Sequence, residues 1–264
     1  MADRIIIDER IDRGTPFDWG RASQDYVKFR DIYPPQFYEK IAALELCVSG
    51  QRVLDLGTGT GVLPRNMQRF GAKWTGTDIS ENQIEQAKLL SQGMDIDYLA
   101  SSAEELTFPK GSFDVITACQ CFWYFDHEKL APQLAQMLKP GGSFVPMCME
   151  WLPFEDEIAY ASEQLVLKYS PNWSGAGETL HPIEIPECYD EFFQREYHQE
   201  YILPVHFTRE SWSGRMKACR GIGASLPSEK IAEWEREHLK LLSEIAPPEF
   251  DIRHFAAVSV LKRK

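Results

Sequence analysis

No run of apolar residues in this chain approaches the ~20 that a membrane-crossing helix needs, and no two of its cysteines stand in a CxxC pair. The first absence predicts a chain that stays out of the bilayer. The second concerns six cysteines scattered at Cys47, Cys119, Cys121, Cys148, Cys188 and Cys219. It argues against a zinc knuckle and a secreted disulfide framework, and no metal site is expected. Positive charge is also in short supply. Lys and Arg number 28 against 40 Asp and Glu, for a formal net charge of −12. Phosphate backbones are held by Lys and Arg, so a nucleic-acid partner is not expected. The opening "MADRIIIDERIDRG" carries charges where a signal peptide needs an apolar stretch, which predicts a cytoplasmic protein. The remainder is ordinary for a globular chain, at 44% hydrophobic and 26% charged residues. Its 264 residues suffice for one large domain, or for a domain carrying a smaller lid.

Short apolar runs alternate with helical patterns through the first 151 residues. "RVLDLG", "KWTGTDIS", "IDYLAS", "FDVITACQCFWYF" and "SFVPMCMEW" read as strands. Between them lie "VLPRNMQRFG", "ENQIEQAKLLSQG", capped by Ser80 and ended by Gly93, and "DHEKLAPQLAQMLKPGG". Five alternations predict a parallel sheet wound with helices on both faces. After Trp151 the rhythm breaks. A helix near Glu155–Tyr169 and the loop "SPNWSGAGETLHPIEIP" precede a strand in "EYHQEYILPVHF". Two helices follow in "RESWSGRMKACRGI" and "SEKIAEWEREHLKLLSEIA", then a last strand in "IRHFAAVSVLKRK".

The first strand ends in "VLDLGTGTG", with glycines at 57, 59 and 61. Glycine permits unusual backbone angles and close approach of a ligand, and the N–H groups opening the next helix suit an anion. A tight strand-to-helix turn with no ligand is the alternative. Asp78 ends the next strand, 17 residues after Gly61. A carboxylate there accepts hydrogen bonds from both hydroxyls of a ribose, so turn and acid together predict nucleoside binding. A nicotinamide-dependent oxidoreductase is one reading. The dinucleotide fingerprint GxGxxG, however, sets its third glycine one place later than GTGTG does.

Here the chain resembles the class I S-adenosylmethionine-dependent methyltransferases. "VLDLGTGTG" matches their first motif and "TGTDIS" the second. "YLASSAEELTFPKGSFDVITACQCFWYF" matches the third and fourth regions, and "LKPGGSF" the turn before strand five. The tail resembles the small-molecule branch with trans-aconitate and ubiquinone/menaquinone-type members. The resemblance implies a Rossmann-like, doubly wound, mostly parallel seven-stranded α/β sheet with a helical lid. Residues 1–264 would form a single domain, with a cofactor core at 25–151 and lid segments at 152–195 and 208–246. It implies S-adenosyl-L-methionine as cofactor and a small-molecule methyl acceptor, in a monomer or homodimer. Asp55 and the Gly57 backbone would face the methionine end, Asp55 complementing the ammonium or serving only to fix the turn, and Thr58, Gly59 and Gly61 would also bind the cofactor. Asp78 would hold the ribose and Ile79 the adenine face. Ser102, Ala103 and Glu104 would border the adenine, unless Glu104 is a plain loop acid. Cys119 and Gln120 would line the methionine side, with Phe122, Trp123 and Tyr124 beyond. From the N-terminal segment, Tyr26, Arg30 and Tyr33 would close over the cofactor, or belong to a helix whose aromatics pack on the core.

Methyl transfer needs a base only when the acceptor holds a proton. His206, at the end of the sixth strand, is the first candidate for catalysis and His181 the second. Trp151, Trp173, Trp212 and Trp234 predict a mostly apolar lid that excludes water. A protein of this fold that binds the cofactor without turnover is the remaining alternative.

Overall fold

A computed structural model describes residues 5–22 and 27–264. Tyr26 lies outside the described residues. The seven strands are β1 (Arg52–Leu56), β2 (Lys73–Asp78), β3 (Ile96–Ala100), β4 (Phe113–Cys119), β5 (Leu138–Trp151), β6 (Phe193–Thr208) and β7 (Glu249–Arg263). They form one sheet in the order β3-β2-β1-β4-β5-β7-β6. The pairings of β1 with β2 and β4, of β2 with β3, and of β4 with β5 are all parallel. Val53, Leu54, Asp55 and Leu56 are buried without alternation, the pattern of a parallel strand covered on both faces. Strand order runs outward from β1 to β3 on one side and from β4 on the other. The crevice between the carboxyl ends of β1 and β4 is therefore the switch point of the sheet.

Among the described residues the helices of six residues or more are α1 (Pro35–Ala43), α2 (Val62–Met67), α3 (Glu81–Leu90), α4 (His127–Met137), α5 (Glu157–Tyr169), α6 (Arg209–Lys217) and α7 (Ser228–Ile245). Four start on side-chain caps, one of them α6, where Thr208 Oγ1 accepts from Ser211 N. Ser80 Oγ accepts from Gln83 N, Asp126 Oδ1 from Lys129 N, and Asp156 Oδ1 from the N–H groups of Ile158 and Ala159. Two elements differ from expectation. The Pro-Gly-Gly following α4 lies within β5, where Gly141 takes φ +72° and the register against β4 shifts. A bulge absorbs the turn residues there. The helix expected through "RESWSGRMKACRGI" stops at Lys217, and a π-type turn covers Arg220–Ala224.

The chain divides into two compact units. One holds residues 33–149, 181–201 and 256–264, and the other 5–22, 27–32, 150–180 and 202–255. In the first, Phe144 stacks on Tyr189 at 5.6 Å, and Phe122 meets the same tyrosine at 5.8 Å. Phe122 is thus part of the core cluster.

In the second unit Trp151, Trp173, Trp212 and Trp234 are buried, but their surroundings are not apolar. Trp151 Nε1 donates to Glu163 Oε1 at 2.5 Å, and Gly177 N donates to Glu163 Oε2. Trp212 Nε1 donates to Ser162 Oγ, and the His238 ring bridges Ser162 and Ser213. The buried Arg215 guanidinium sits 4.7 Å from the Trp151 ring. Asp12 pairs with Arg220 at 2.6 Å and accepts from Ser174 N and Oγ. Buried polar groups in a small helical body fix its geometry only when each is satisfied.

Asp12 is 3% exposed and its pKa lies below the ordinary aspartate value. Burial works against that shift, and the Arg220 guanidinium and the Ser174 N–H outweigh it. Its stabilisation is therefore complete above the unfolded-chain pKa, near 3.8, and is lost as pH falls through the lower native value. Asp12→Ala, which leaves Arg220 buried without this partner, is expected to cost about 3–5 kcal/mol at pH 7. The denaturant midpoint measures it. The gap to the wild type should narrow as pH falls below 3.8.

Candidate functional site

The glycine turn follows β1 directly. Gly57 takes φ +58° and Gly59 φ +55°, both left-handed. A Cβ on Gly57 would fall 2.7 Å from Cys121 Cβ, so this position excludes any side chain. A Cβ on Gly59 would meet nothing within 4 Å. Conformation, not crowding, calls for glycine at 59, and open space lies over its Cα. Gly61 precedes α2, with the Tyr98 ring against it. Within the turn Thr58 N donates to Thr77 O at 2.8 Å and Gly61 N to Thr58 O at 2.9 Å. Helix α2 has six residues before a 3-10 turn takes over, too short for the strong anion site expected at its start.

Asp78 joins the turn to the end of β2. Its Oδ2 accepts from Gly59 N at 2.9 Å and its Oδ1 from Ser80 N at 2.9 Å. Burial raises its pKa above the ordinary value, against the pull of these two N–H groups. Ile79 follows, partly exposed. Asp55 lies deeper, at 1% exposure. Its Oδ1 accepts from Thr117 Oγ1 at 2.7 Å, and its main-chain oxygen from Thr77 Oγ1. Burial pushes its carboxyl up to about 7.

After β3, Ser102 and Ala103 are buried and open a 3-10 turn over Ala103–Glu105. Glu104 turns toward α4. Its Oε1 accepts from Asp126 N at 2.9 Å and its carbonyl from Gln133 Nε2. At the end of β4, Cys119 Sγ lies 3.6 Å from the Tyr33 hydroxyl, and Tyr33 stacks on Phe37 at 4.7 Å. Gln120, the next residue, is left-handed at φ +63°. Its N–H donates to Met147 O at 3.0 Å and its Nε2 to Met149 O. Its Oε1 is buried and has no hydrogen-bond partner among the described residues.

The unit holding the glycine turn therefore also holds Tyr33, Asp55, Asp78, Ile79, Ser102, Ala103, Glu104, Cys119 and Gln120. Arg30 and His206 belong to the other unit. The charge of Arg30, with that of Arg215, opposes the effect of burial on the Cys219 thiol. His206 is largely exposed. Its Nδ1 is 3.0 Å from Asp251 Oδ1 and its Nε2 3.9 Å from Glu249. His181 is exposed and bonds the carbonyl of Pro182. Three contributors escaped sequence reading: Cys121 beneath Gly57, Thr117 on Asp55, and Tyr98 against Gly61. Thr117 was open to inference, because a hydroxyl on the neighbouring strand is a natural partner for a buried acid.

A family model described as a methyltransferase domain matches residues 54–146, the stretch that carries the turn, Asp78 and Gln120. Over this stretch the chain is similar to the methyltransferase domain family. Among its relatives is a protein of Nitrosococcus oceani named ubiquinone biosynthesis O-methyltransferase. It is 39% identical over 130 residues, which is 47% of this chain and 53% of that one. A protein of the same name from Xanthomonas euvesicatoria is 30% identical over 157 residues, 58% of this chain and 65% of that one. The chain thus spans between about half and two thirds of the length of these relatives. A solved structure from Bacillus halodurans, provisionally assigned as a methyltransferase, shares the fold with a TM-score of 0.53 and 15% identity. The match covers 86% of this chain and 98% of that one. No described helix is long and apolar enough to cross a membrane.

Asp55 yields a pH signature. In the native protein it keeps its proton up to about pH 7, whereas the unfolded chain releases it near 3.8. Its contribution therefore falls as pH rises between these values. Asp55→Asn removes this dependence. The stability of the variant relative to the wild type should rise by up to about 4 kcal/mol from pH 4 to pH 8, as read from urea midpoints at each pH.

Proposed function

We propose that this chain transfers a methyl group from S-adenosylmethionine to a small-molecule acceptor. The observation that carries the reading is Asp78 bonded to Gly59 N at 2.9 Å, beneath a glycine with nothing over its Cα. Each Asp78 oxygen receives one N–H, and a carboxylate has about four acceptor positions. Two positions remain for the two hydroxyls of a ribose. The residues present therefore fit the nucleoside part of the cofactor.

In this reading Ile79 packs on the adenine, and Ser102 and Ala103 border it. The main chain of Gly57 to Gly59 lies against the methionine end. Asp55 fixes the turn from below, since its carboxyl is buried on Thr117. Glu104 holds the adenine loop onto the start of α4. Tyr33, Cys119 and Gln120 face the reacting end. His206 takes no part, being exposed and paired with Asp251. The bound cofactor supplies an electrophilic methyl group on a sulfonium sulfur. Held by Asp78 and the Gly57 to Gly59 main chain, it would offer that carbon to an acceptor lone pair, with S-adenosylhomocysteine as the leaving group and any acceptor proton released to solvent. No residue need change charge, so positioning and exclusion of water carry the rate. The net charge of −12 supports a small molecule over a nucleic acid. The relatives named for O-methylation in ubiquinone biosynthesis support an oxygen atom as the acceptor.

S-adenosylhomocysteine should bind the wild type in a calorimetric titration, and no binding at millimolar concentration would sink the proposal. Asp78→Ala removes charge-assisted hydrogen bonds to the ribose. It is expected to weaken binding by about 2–3 kcal/mol, with an unchanged circular dichroism spectrum. An unaltered dissociation constant would remove Asp78 from the site.

A further inference from the structure

Gln120 combines three features that a structural glutamine does not need. Its backbone is left-handed at φ +63°, a conformation that non-glycine residues adopt under strain and that clusters at functional sites. Its side chain is pinned, with Nε2 donating to the carbonyl of Met149. A carbonyl only accepts, so this bond decides which end of the amide is which and leaves the oxygen free. That oxygen is buried with no donor among the described residues, an arrangement that is unfavourable until a donor arrives.

The direction of the side chain narrows what the donor is. β4 lies between β1 and β5 in the sheet. The glycine turn and Asp78 belong to the ends of β1 and β2, on one side of β4. Gln120 reaches the other way, to Met149 on β5. The amide is therefore anchored on the side of β4 away from the proposed ribose site. Tyr201 belongs to the same surroundings, its phenol raised by burial and by the nearby Cys119, Tyr197 and Cys148.

We propose that Gln120 Oε1 accepts a hydrogen bond from the hydroxyl that receives the methyl group, and so selects acceptors whose nucleophilic atom carries a proton. The inference rests on the methyltransferase reading and adds the acceptor chemistry. The bond orients the hydroxyl so that a lone pair faces the methyl carbon while its hydrogen is held by the amide. Gln120 is a positioning residue here, because an amide oxygen does not take the proton. A site built to accept from a hydroxyl rejects an analogue that lacks it far more strongly than an apolar pocket would.

The test uses full-length protein saturated with S-adenosylhomocysteine, with catechol and 1,2-dimethoxybenzene as probes in calorimetric titrations. The two differ in the hydrogens that Gln120 would receive. Wild type is expected to favour catechol by about tenfold or more, and Gln120→Met to reduce that preference to about twofold or less. S-adenosylhomocysteine affinity should stay within about twofold, since ribose and turn contacts are untouched. Gln120→Gly removes the backbone strain as well as the amide. It should fold at least as stably and show the same loss of preference, which separates recognition from a structural role. An undiminished preference for catechol in either variant overturns the proposal. So does failure of the wild type to bind catechol at millimolar concentration. Absence of S-adenosylhomocysteine binding to the wild type overturns the methyltransferase reading itself, whereas intact binding without hydroxyl preference overturns only the role of Gln120.

Discussion

The hydrogen bond from Gly59 N to Asp78 ties the turn after β1 to the end of β2, and the site is built around it. The register sets it up. Leu56 stands opposite Thr77, so the two strands end together, and Thr58 N closes on Thr77 O as the chain turns. Asp78 then spends one oxygen on Gly59 and the other on Ser80, whose own hydroxyl caps α3. One carboxylate therefore coordinates a strand end, a glycine turn and a helix start. Removing water from around it raises its pKa, so its ionised form depends on the two N–H groups aimed at it.

The same economy recurs below the turn. Asp55 is held between β2 and β4 through Thr77 and Thr117, and Cys121 occupies the only volume that a side chain on Gly57 could use. These contacts leave the turn little freedom to relax, so the left-handed angles of Gly57 and Gly59 are over-determined. Polar groups in the helical unit serve a related purpose. Asp12 and Arg220 bring together segments 208 residues apart, and Glu163 and Ser162 anchor two tryptophan nitrogens. A water-excluding, mostly apolar body was the simpler expectation. A scaffold of buried polar groups, most of the named ones hydrogen-bonded, is what the side chains make.

What could be read beforehand follows from the range of each interaction. The glycine turn, the acid ending β2, the Ser80 cap and the five strand–helix alternations depend on residues close in sequence, and all were legible. The start of β5 was not, because Pro-Gly-Gly usually ends an element and a bulge here carries the strand through it. Asp55 could be read as an acid facing the ammonium or as one that only fixes the turn. Only its partner Thr117, 62 residues later, shows that it faces inward. Arg30, expected to close over the cofactor, belongs to the helical unit. The left-handed backbone and unpaired oxygen of Gln120 have no local signature, since glutamine seldom adopts such angles and "CQC" reads as simple strand packing.

The distribution of thiols has a practical side. Cys47, Cys121, Cys148 and Cys219 are buried, and burial holds the thiols of Cys47, Cys121 and Cys219 above the usual range. Thiolate chemistry is suppressed there. Cys119 and Cys188 are the two with partial access to solvent. Cys119 stands beside Tyr33 and one residue from Gln120. The protein thus carries, without engineering, a covalent attachment point inside its own candidate site. A small thiol-directed fluorophore or a fluorinated tag placed there, with Cys188 changed to serine, turns ligand arrival into an optical or resonance signal.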